Sequence, residues 1–375
     1  MRTFHAGRWI PQRGYKSFQP ALINRPWVLD DMEIQHLLSK ADRQLGRLDM
    51  VSEYVPNIDL FIRMHVVKEA TESSRIEGTQ TRVDEALLDR DDVPSEKRDD
   101  WEEVQNYISA MDHAIGALER LPISSRLIRE VHRVLMQGVR GEHKQPGAYR
   151  TSQNWIGGAS ISDASFVPPV HSSISELMGD LEQFVHNESI FLPDLLRIAL
   201  VHYQFETIHP FLDGNGRVGR LLIPLYLVHQ GILKRPVLYL SDFFERNRTH
   251  YYDNLMRVRE KSDLAQWFKF FLVGMIETAE RGIATFDAIL QLQREVDEAV
   301  QELGARAANA SRVIRALYQS PIIDAAKVSE ITGLTLPPSY RLIEDLERLG
   351  LLREMTGARR GRLYMFERYT QLFRS

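Results

Sequence analysis

Apolar residues recur at helical spacing along most of this chain. From Ile58, the positions Phe61, Ile62, Val66 and Ala70 keep to one helix face, and the run stops at Glu77-Gly78, where a glycine past the last turn is the usual C-terminal signal. The same period predicts helices over residues 29–48, 101–118, 124–137, 172–187, 193–207, 217–230 and 248–261, and a long one over 264–303. Residues 6–26 show no period and carry Gly, Pro and Arg, so an extended arm precedes the first helix. A second pattern interrupts at 153–161 and 165–170, two short β pieces around Ser162-Asp163-Ala164. They predict a hairpin, and Pro168 and Pro169, which lack ladder donors, predict that it keeps an exposed edge.

The last seventy residues change character. Three short helices are predicted over 312–318, 325–332 and 339–349, then strands over 351–354 and 362–366 with a turn at 356–361, the order of a winged helix-turn-helix. Residues 305–375 hold 12 Lys+Arg against 7 Asp+Glu, so a tail of net +5 follows a body of net -9. The resulting scheme is mainly α: an N-terminal arm and helix (1–57), a helical core with a β-hairpin (58–290), a helical linker (291–304) and a winged helix (305–375).

Composition adds exclusions. With 43% hydrophobic and 26% charged positions, the 375 residues are those of a globular protein. The net charge of -4 calls for no polyanionic or membrane partner for the chain as a whole. The lack of cysteine removes disulfides, thiol nucleophiles and cysteine metal sites. No apolar run suits a membrane span or a secretory signal, which makes the cytoplasm the expected location.

The chemistry concentrates in His209-Pro210-Phe211-Leu212-Asp213-Gly214-Asn215-Gly216-Arg217-Val218-Gly219-Arg220, between two apolar helices. Glycines at a helix start let free N–H groups converge on an anion, so Gly214, Asn215 and Gly216 suit a phosphate cradle. Arg217 and Arg220, at i and i+3, offer two guanidinium forks on one face. Asp213 suits a hard cation such as Mg²⁺ that also touches phosphates. His209 has the near-neutral pKa of a base that takes a proton from an attacking hydroxyl, although a lone histidine at a helix end is more often structural. Gly214, Gly216 and Gly219 also satisfy G-x-G-x-x-G, but the helical pattern before them denies the strand that a dinucleotide fold needs.

This run resembles the signature of the Fic domain, H-x-F-x-[DE]-G-N-G-R-x-x-R, in every fixed position, and Gly147 to Gly158 looks like that family's lead-in to a target-binding flap. The resemblance covers about residues 60–290. It implies a protein adenylyltransferase that moves AMP from ATP to a hydroxyl side chain of a target protein. It also implies roles: His209 as base, Asp213 on Mg²⁺, and an ATP site of Gly214, Asn215, Gly216, Arg217, Val218, Gly219 and Arg220. Tyr251 and Tyr252 look like the adenine-flanking aromatic pair, with a place in the core equally open. The hairpin becomes a flap, Ile156, Gly157, Gly158, Ala159, Ser160, Ile161, Phe166 and Val167, that pairs main chain to main chain with the target. Ser160, Ser162 and Ser165 keep self-modification open, and oligomeric state, a homodimer included, is undecided.

Glu77 stands at a helix C-terminus, where the macrodipole disfavours its charge, and Ser73 lies one turn earlier on the same face. Ser73 to Gly78 resembles the family's inhibitory motif [ST]-x-x-x-E-[GN], on a helix expected over 60–78. That resemblance implies that Glu77 pairs with Arg220 and misplaces the ATP γ-phosphate, or that it activates water to remove AMP. For the tail, Arg353, Arg359, Arg360 and Arg362 on the wing favour DNA, while Glu344, Asp345 and Glu347 on the expected recognition helix oppose it. A DNA-binding regulator with a nucleotide-sensing Fic domain therefore stands as the competing function.

Overall fold

The computed structural model describes residues 4–55, 58–138, 142–359 and 361–374; the wing residue Arg360 lies outside them. The arm is no simple extended segment. It forms an antiparallel hairpin, β1 (Gly7–Pro11) with β2 (Lys16–Pro20), paired from Gly7 against Pro20 to Pro11 against Lys16. Helix α1 (Met32–Tyr54) then starts where the Asp31 side chain accepts from the amides of Glu33 and Ile34. It ends six residues beyond the expected stop and packs along the long helix Leu264–Gln301.

The core follows the helical period closely: α2 (Ile58–Ile76), the short α3 (Val83–Ala86), α4 (Arg98–Leu118), α5 (Ser125–Leu135), α6 (Ile174–His186), α7 (Asp194–Ile208), α8 (Asn215–His229), α9 (Ser241–Arg246), α10 (Arg248–Lys261) and α11 (Leu264–Gln301). Helices α7 and α8 are buried almost all round, as sequences apolar on every face require, and they form the centre. Among the described residues no helix is long and apolar enough to cross a membrane.

The tail comprises α12 (Ala307–Gln319), β3 (Ile322–Ile323), α13 (Ala325–Thr332), α14 (Leu336–Arg348), β4 (Arg353–Glu354), β5 (Tyr364–Met365) and α15 (Glu367–Gln371). The pattern missed β3 and α15: two residues are too short for a period, and α15 covers one turn. The three strands form one sheet in the order β3-β5-β4. The tail packs on the outer face of α2, with Phe61 edge-on to Tyr318 at 5.2 Å and to Tyr369 at 6.2 Å. The His65 ring lies 5.0 Å from both Phe286 and Phe373.

Candidate active site

The link from His209 to Gly214 is polar backbone between two buried rods, so its groups need partners inside the protein. Gly214 opens α8 at φ 74, a left-handed conformation suited to glycine, and a Cβ there would lie 2.7 Å from Met136 Sδ. Asn215, whose backbone amide belongs to the expected cradle, closes the loop with its side chain. Its Nδ2 donates to the Phe211 carbonyl at 2.9 Å and its Oδ1 accepts from the Phe211 amide at 2.8 Å. His132 of α5 stacks on the Phe211 ring at 3.7 Å. Because His132 Nδ1 accepts from the Gly147 amide at 2.8 Å, its Nε2 carries the proton and donates to the Asp213 carbonyl at 3.0 Å. Burial pushes the His132 pKa down to about 4, which keeps that neutral tautomer. The Asp213 carboxylate accepts from the Gly214 amide at 2.6 Å, and half of its side chain is exposed.

The two arginines share a helix face but take separate partners. Arg217 donates to Glu103 on α4 at 3.1 Å. Arg220 is 2% exposed and its donors turn toward α2: Nε to Ser73 Oγ and Nη2 to the Ser73 carbonyl, both at 2.9 Å, and Nη2 to Glu77 Oε1 at 2.6 Å. The Glu77 carboxylate lies on the cradle itself, since a Cβ on Gly216 would meet its Oε1 at 2.2 Å. Burial alone would raise the Glu77 pKa. The charge and hydrogen bond of Arg220, helped by Arg217 and His209, outweigh it and hold the carboxyl below its usual range.

His209 ends α7 in the left-handed region, φ 51 and ψ 61, a conformation that costs a non-glycine residue about 1–3 kcal/mol. Its Nδ1 is buried. Burial and the nearby charges of Arg259 and Arg150 push its pKa down to about 3, against the opposing pull of Glu77. The imidazole is therefore neutral and free to take a proton. One turn earlier, Glu206 is 6% exposed with Oε1 unpartnered, packed against Gly219, and burial pushes its pKa up to about 7.

Other expected residues separate. Val218 is buried in the core, and Gly219 faces Glu206 while its carbonyl accepts from His202 Nδ1 at 2.8 Å. Tyr251 is a core residue: 1% exposed, it stacks on Phe244 at 4.4 Å and donates from its hydroxyl to His202 Nε2 at 2.9 Å. Tyr252 is 37% exposed, and both phenols sense the charges of Glu77, Arg220 and Glu206, so exposure is what separates the pair.

The flap is not a laddered hairpin. A single antiparallel bridge joins Ile156 to Phe166, with amide-to-carbonyl distances of 2.8 and 3.1 Å. Between them Gly157 and Gly158 turn left-handed at φ 69 and 75, and Asp163 accepts from the amides of Ala159 and Ser160, so the chain curls before a ladder can extend. Gly157, Gly158, Ala159 and Ser160 are exposed and Ile161 is half-buried, while Phe166 and Val167 are buried. The Phe166 ring lies under Arg259 at 3.8 Å, and the Val167 carbonyl accepts from the Phe18 amide at 2.9 Å, which ties the flap to the N-terminal hairpin.

Sequence reasoning missed His132, Glu103, Glu206, Arg259 and Asn154, whose Nδ2 donates to the Phe211 carbonyl at 2.9 Å. Glu206 carried a signal, a carboxylate inside an apolar helix; His132 and Glu103 carried none, because their partners lie 81 and 114 residues away.

Residues 35–116 match the Fic/DOC family N-terminal region, and residues 122–227 match the Fic/DOC family. Proteins named protein adenylyltransferase Fic are similar over about two thirds of the chain: 26% identical over 68% of it for that of Aedes aegypti, and 28% over 67% for that of Drosophila erecta. Each match spans 49% of the relative, so the chain covers about half the length of these curated proteins. A crystal structure of a Fic family protein from Desulfovibrio desulfuricans shares the fold with a TM-score of 0.60 at 19% identity, over 91% of this chain and 98% of that one. A Fic domain containing signaling protein from Bacteroides thetaiotaomicron gives 0.52 at 20% identity, over 68% and 97%.

Proposed function

As the chain belongs to the Fic/DOC family, we propose that it is a protein adenylyltransferase held in check by Glu77. The target hydroxyl oxygen attacks the α-phosphorus of ATP, its proton passes to His209 Nε2, and the bond to the β-phosphate oxygen breaks to release pyrophosphate. A base with so low a pKa is weak in the free protein. The negative charge of bound ATP raises it toward neutrality, where a base acts best.

Asp213 is the residue that would hold Mg²⁺. Among the described residues no group of three His, Asp or Glu is arranged for a metal. That suits Mg²⁺ bound through one carboxylate, with substrate phosphates and water as its other ligands. The ion would neutralise phosphate charge as it develops. The flap would offer main chain to an extended target segment at its exposed glycines, Gly157 and Gly158, while the amides of Ala159 and Ser160 stay on Asp163.

The observation that carries the proposal is the clamp of Ser73 and Glu77 on Arg220. In this state Nε and Nη2 of Arg220 are held by Ser73 and Glu77, and the Glu77 carboxylate stands against Gly216 where phosphate oxygens would enter, so ATP would bind without its γ-phosphate on Arg220. The test is incubation of wild type, Glu77→Gly and Glu77→Gly/His209→Ala with ATP labelled at the α or the γ position. Label is expected from the α position alone, stronger in Glu77→Gly and lost in the double variant. Label from the γ position, or equal labelling of wild type and Glu77→Gly, overturns the proposal. Release of AMP from a modified target by wild type but not by Glu77→Gly would instead assign Glu77 to AMP removal.

For the tail, three helices and a three-stranded sheet support a winged helix. The exposed positions of α14 include Leu336, Tyr340, Arg341, Glu344 and Arg348, a mixed face, while Asp345 is buried against Arg306 and Arg348 and does not confront a polyanion. A shift of duplex DNA that survives only at very low salt would mark any binding by the tail as non-specific.

A further inference from the structure

Arg150 is 2% exposed, and the hydrogen bonds of its guanidinium among the described residues go to backbone carbonyls. Nε donates to the His209 carbonyl at 2.9 Å, and Nη2 reaches the Ile208 carbonyl at 3.5 Å, both orphan acceptors at the C-terminus of α7. Nη1 donates to the Ser152 carbonyl at 3.0 Å, where the flap segment begins, and Nη2 to the Pro169 carbonyl at 2.5 Å, where it ends. The Arg150 amide donates to the Pro210 carbonyl at 2.9 Å. One side chain thus joins the two feet of the flap to the backbone of the base. The negative end of the α7 dipole balances its charge. Burial brings the Arg150 pKa down to about 10, which still leaves it charged at neutral pH.

We propose that Arg150 is a positioning residue: it holds His209 in its left-handed backbone conformation and fixes the flap at the distance from which a target hydroxyl meets the base. This deepens the adenylyl-transfer reading and rests on it. The planar fork is what the task needs, because four carbonyls lie in different directions from one group, and the single nitrogen of a lysine cannot serve them together. The charge has a second consequence. Burial acts most on the His209 pKa, and downward; of the groups that face it, Arg259 on α10 and Arg150 on the flap side also act downward, and Glu77 beyond α2 and the Glu206 backbone on α7 act upward.

The test compares Arg150→Lys and Arg150→Gln in the Glu77→Gly protein. Turnover onto the protein target is expected to fall about a hundredfold in both, as for a reacting group misplaced by an ångström. Binding of a non-hydrolysable ATP analogue with Mg²⁺ is expected to stay within about twofold, because no cradle group touches Arg150. The His209 imidazole, assigned by its loss in His209→Ala and titrated by NMR, should show a higher pKa in Arg150→Gln than in Arg150→Lys, which keeps the charge. Unchanged turnover, equal loss of nucleotide binding and turnover, or an unmoved His209 titration overturns the proposal. If Arg150→Gln does not fold, Arg150→Lys carries the turnover and binding comparison. If Glu77→Gly transfers no AMP, the enzymatic reading has failed, and the titration still decides whether Arg150 sets the state of His209.

Discussion

The cradle and the flap are neighbours built in opposite ways. Around the cradle many polar groups find partners before any ligand arrives, Asn215 on Phe211, His132 on Asp213, Arg217 on Glu103, Arg220 on Ser73 and Glu77, while Arg217 Nε and Glu206 Oε1 have none among the described residues. The flap tip is exposed and closed by one bridge, and within it the amides of Ala159 and Ser160 are taken up by the Asp163 turn. Charge that develops on phosphate is stabilised best by donors already fixed in place, since no reorganisation is then needed at the moment of reaction. A segment that recognises main chain gains by staying open, and it takes on order only when the target pairs with it. Arg150 joins the flap to the backbone of His209, at the other end of the loop that leads into the cradle.

The contrast can be broken or sharpened by substitution. The largest effect belongs to His209→Ala, which should lower AMP transfer about a hundred- to ten-thousandfold with nucleotide affinity kept; transfer that survives places the base elsewhere. Glu77→Gly removes a charge-assisted hydrogen bond worth about 1.5–3 kcal/mol, so transfer should rise roughly ten- to a hundredfold, as read by α-label incorporation. Gly158→Val acts on the flap alone. At φ 75, with its Cβ 2.5 Å from the Asp163 carbonyl, it should distort the turn and raise the target KM about tenfold, with ATP binding unchanged. An equal effect on ATP binding would show that the regions are not separable.

Smaller still is Ser73→Ala, which removes one neutral-acceptor bond to Arg220, worth about 1 kcal/mol, so its gain in transfer should stay below that of Glu77→Gly. The reverse order would make the helix, and not the carboxylate, the restraint. Stability should also follow pH through Glu206. Its folded pKa, near 7, lies above the unfolded value, so the folded chain holds the proton more tightly. That contribution is complete below the unfolded pKa and is lost as pH rises through about 7. Glu206→Gln should flatten the fall in thermal midpoint between mildly acidic and mildly alkaline buffer, and an unchanged slope would assign the dependence to Glu69, which is raised to about 7 in the same way.

Which features were legible follows from how far apart the deciding residues stand. The helices of the core, the break at Gly78 and the glycine start of α8 are written in windows of ten to twenty residues, so the hydrophobic period and local backbone preference determined them. The loop from His209 to Gly214 between two apolar helices was legible too, and the residue types, order and spacing of the run to Arg220 carry the proposed phosphate chemistry. Even the pairing of Glu77 with Arg220 was implied, though only by resemblance to a family and not by any local signal.

Tertiary structure decided what depends on a distant partner. It made the arm a hairpin that holds the flap, through Phe18 on Val167. It reduced the flap to one bridge, because two left-handed glycines and the Asp163 turn curl the chain. It sent Tyr251 to the core and Tyr252 to the edge, although the two are adjacent in sequence. Arg220 and Ser73 are separated by 147 positions and Arg150 and His209 by 59. A residue's type states what it can donate or accept, but which group receives it is settled only when packing brings two remote segments within 3 Å, the reach of a hydrogen bond.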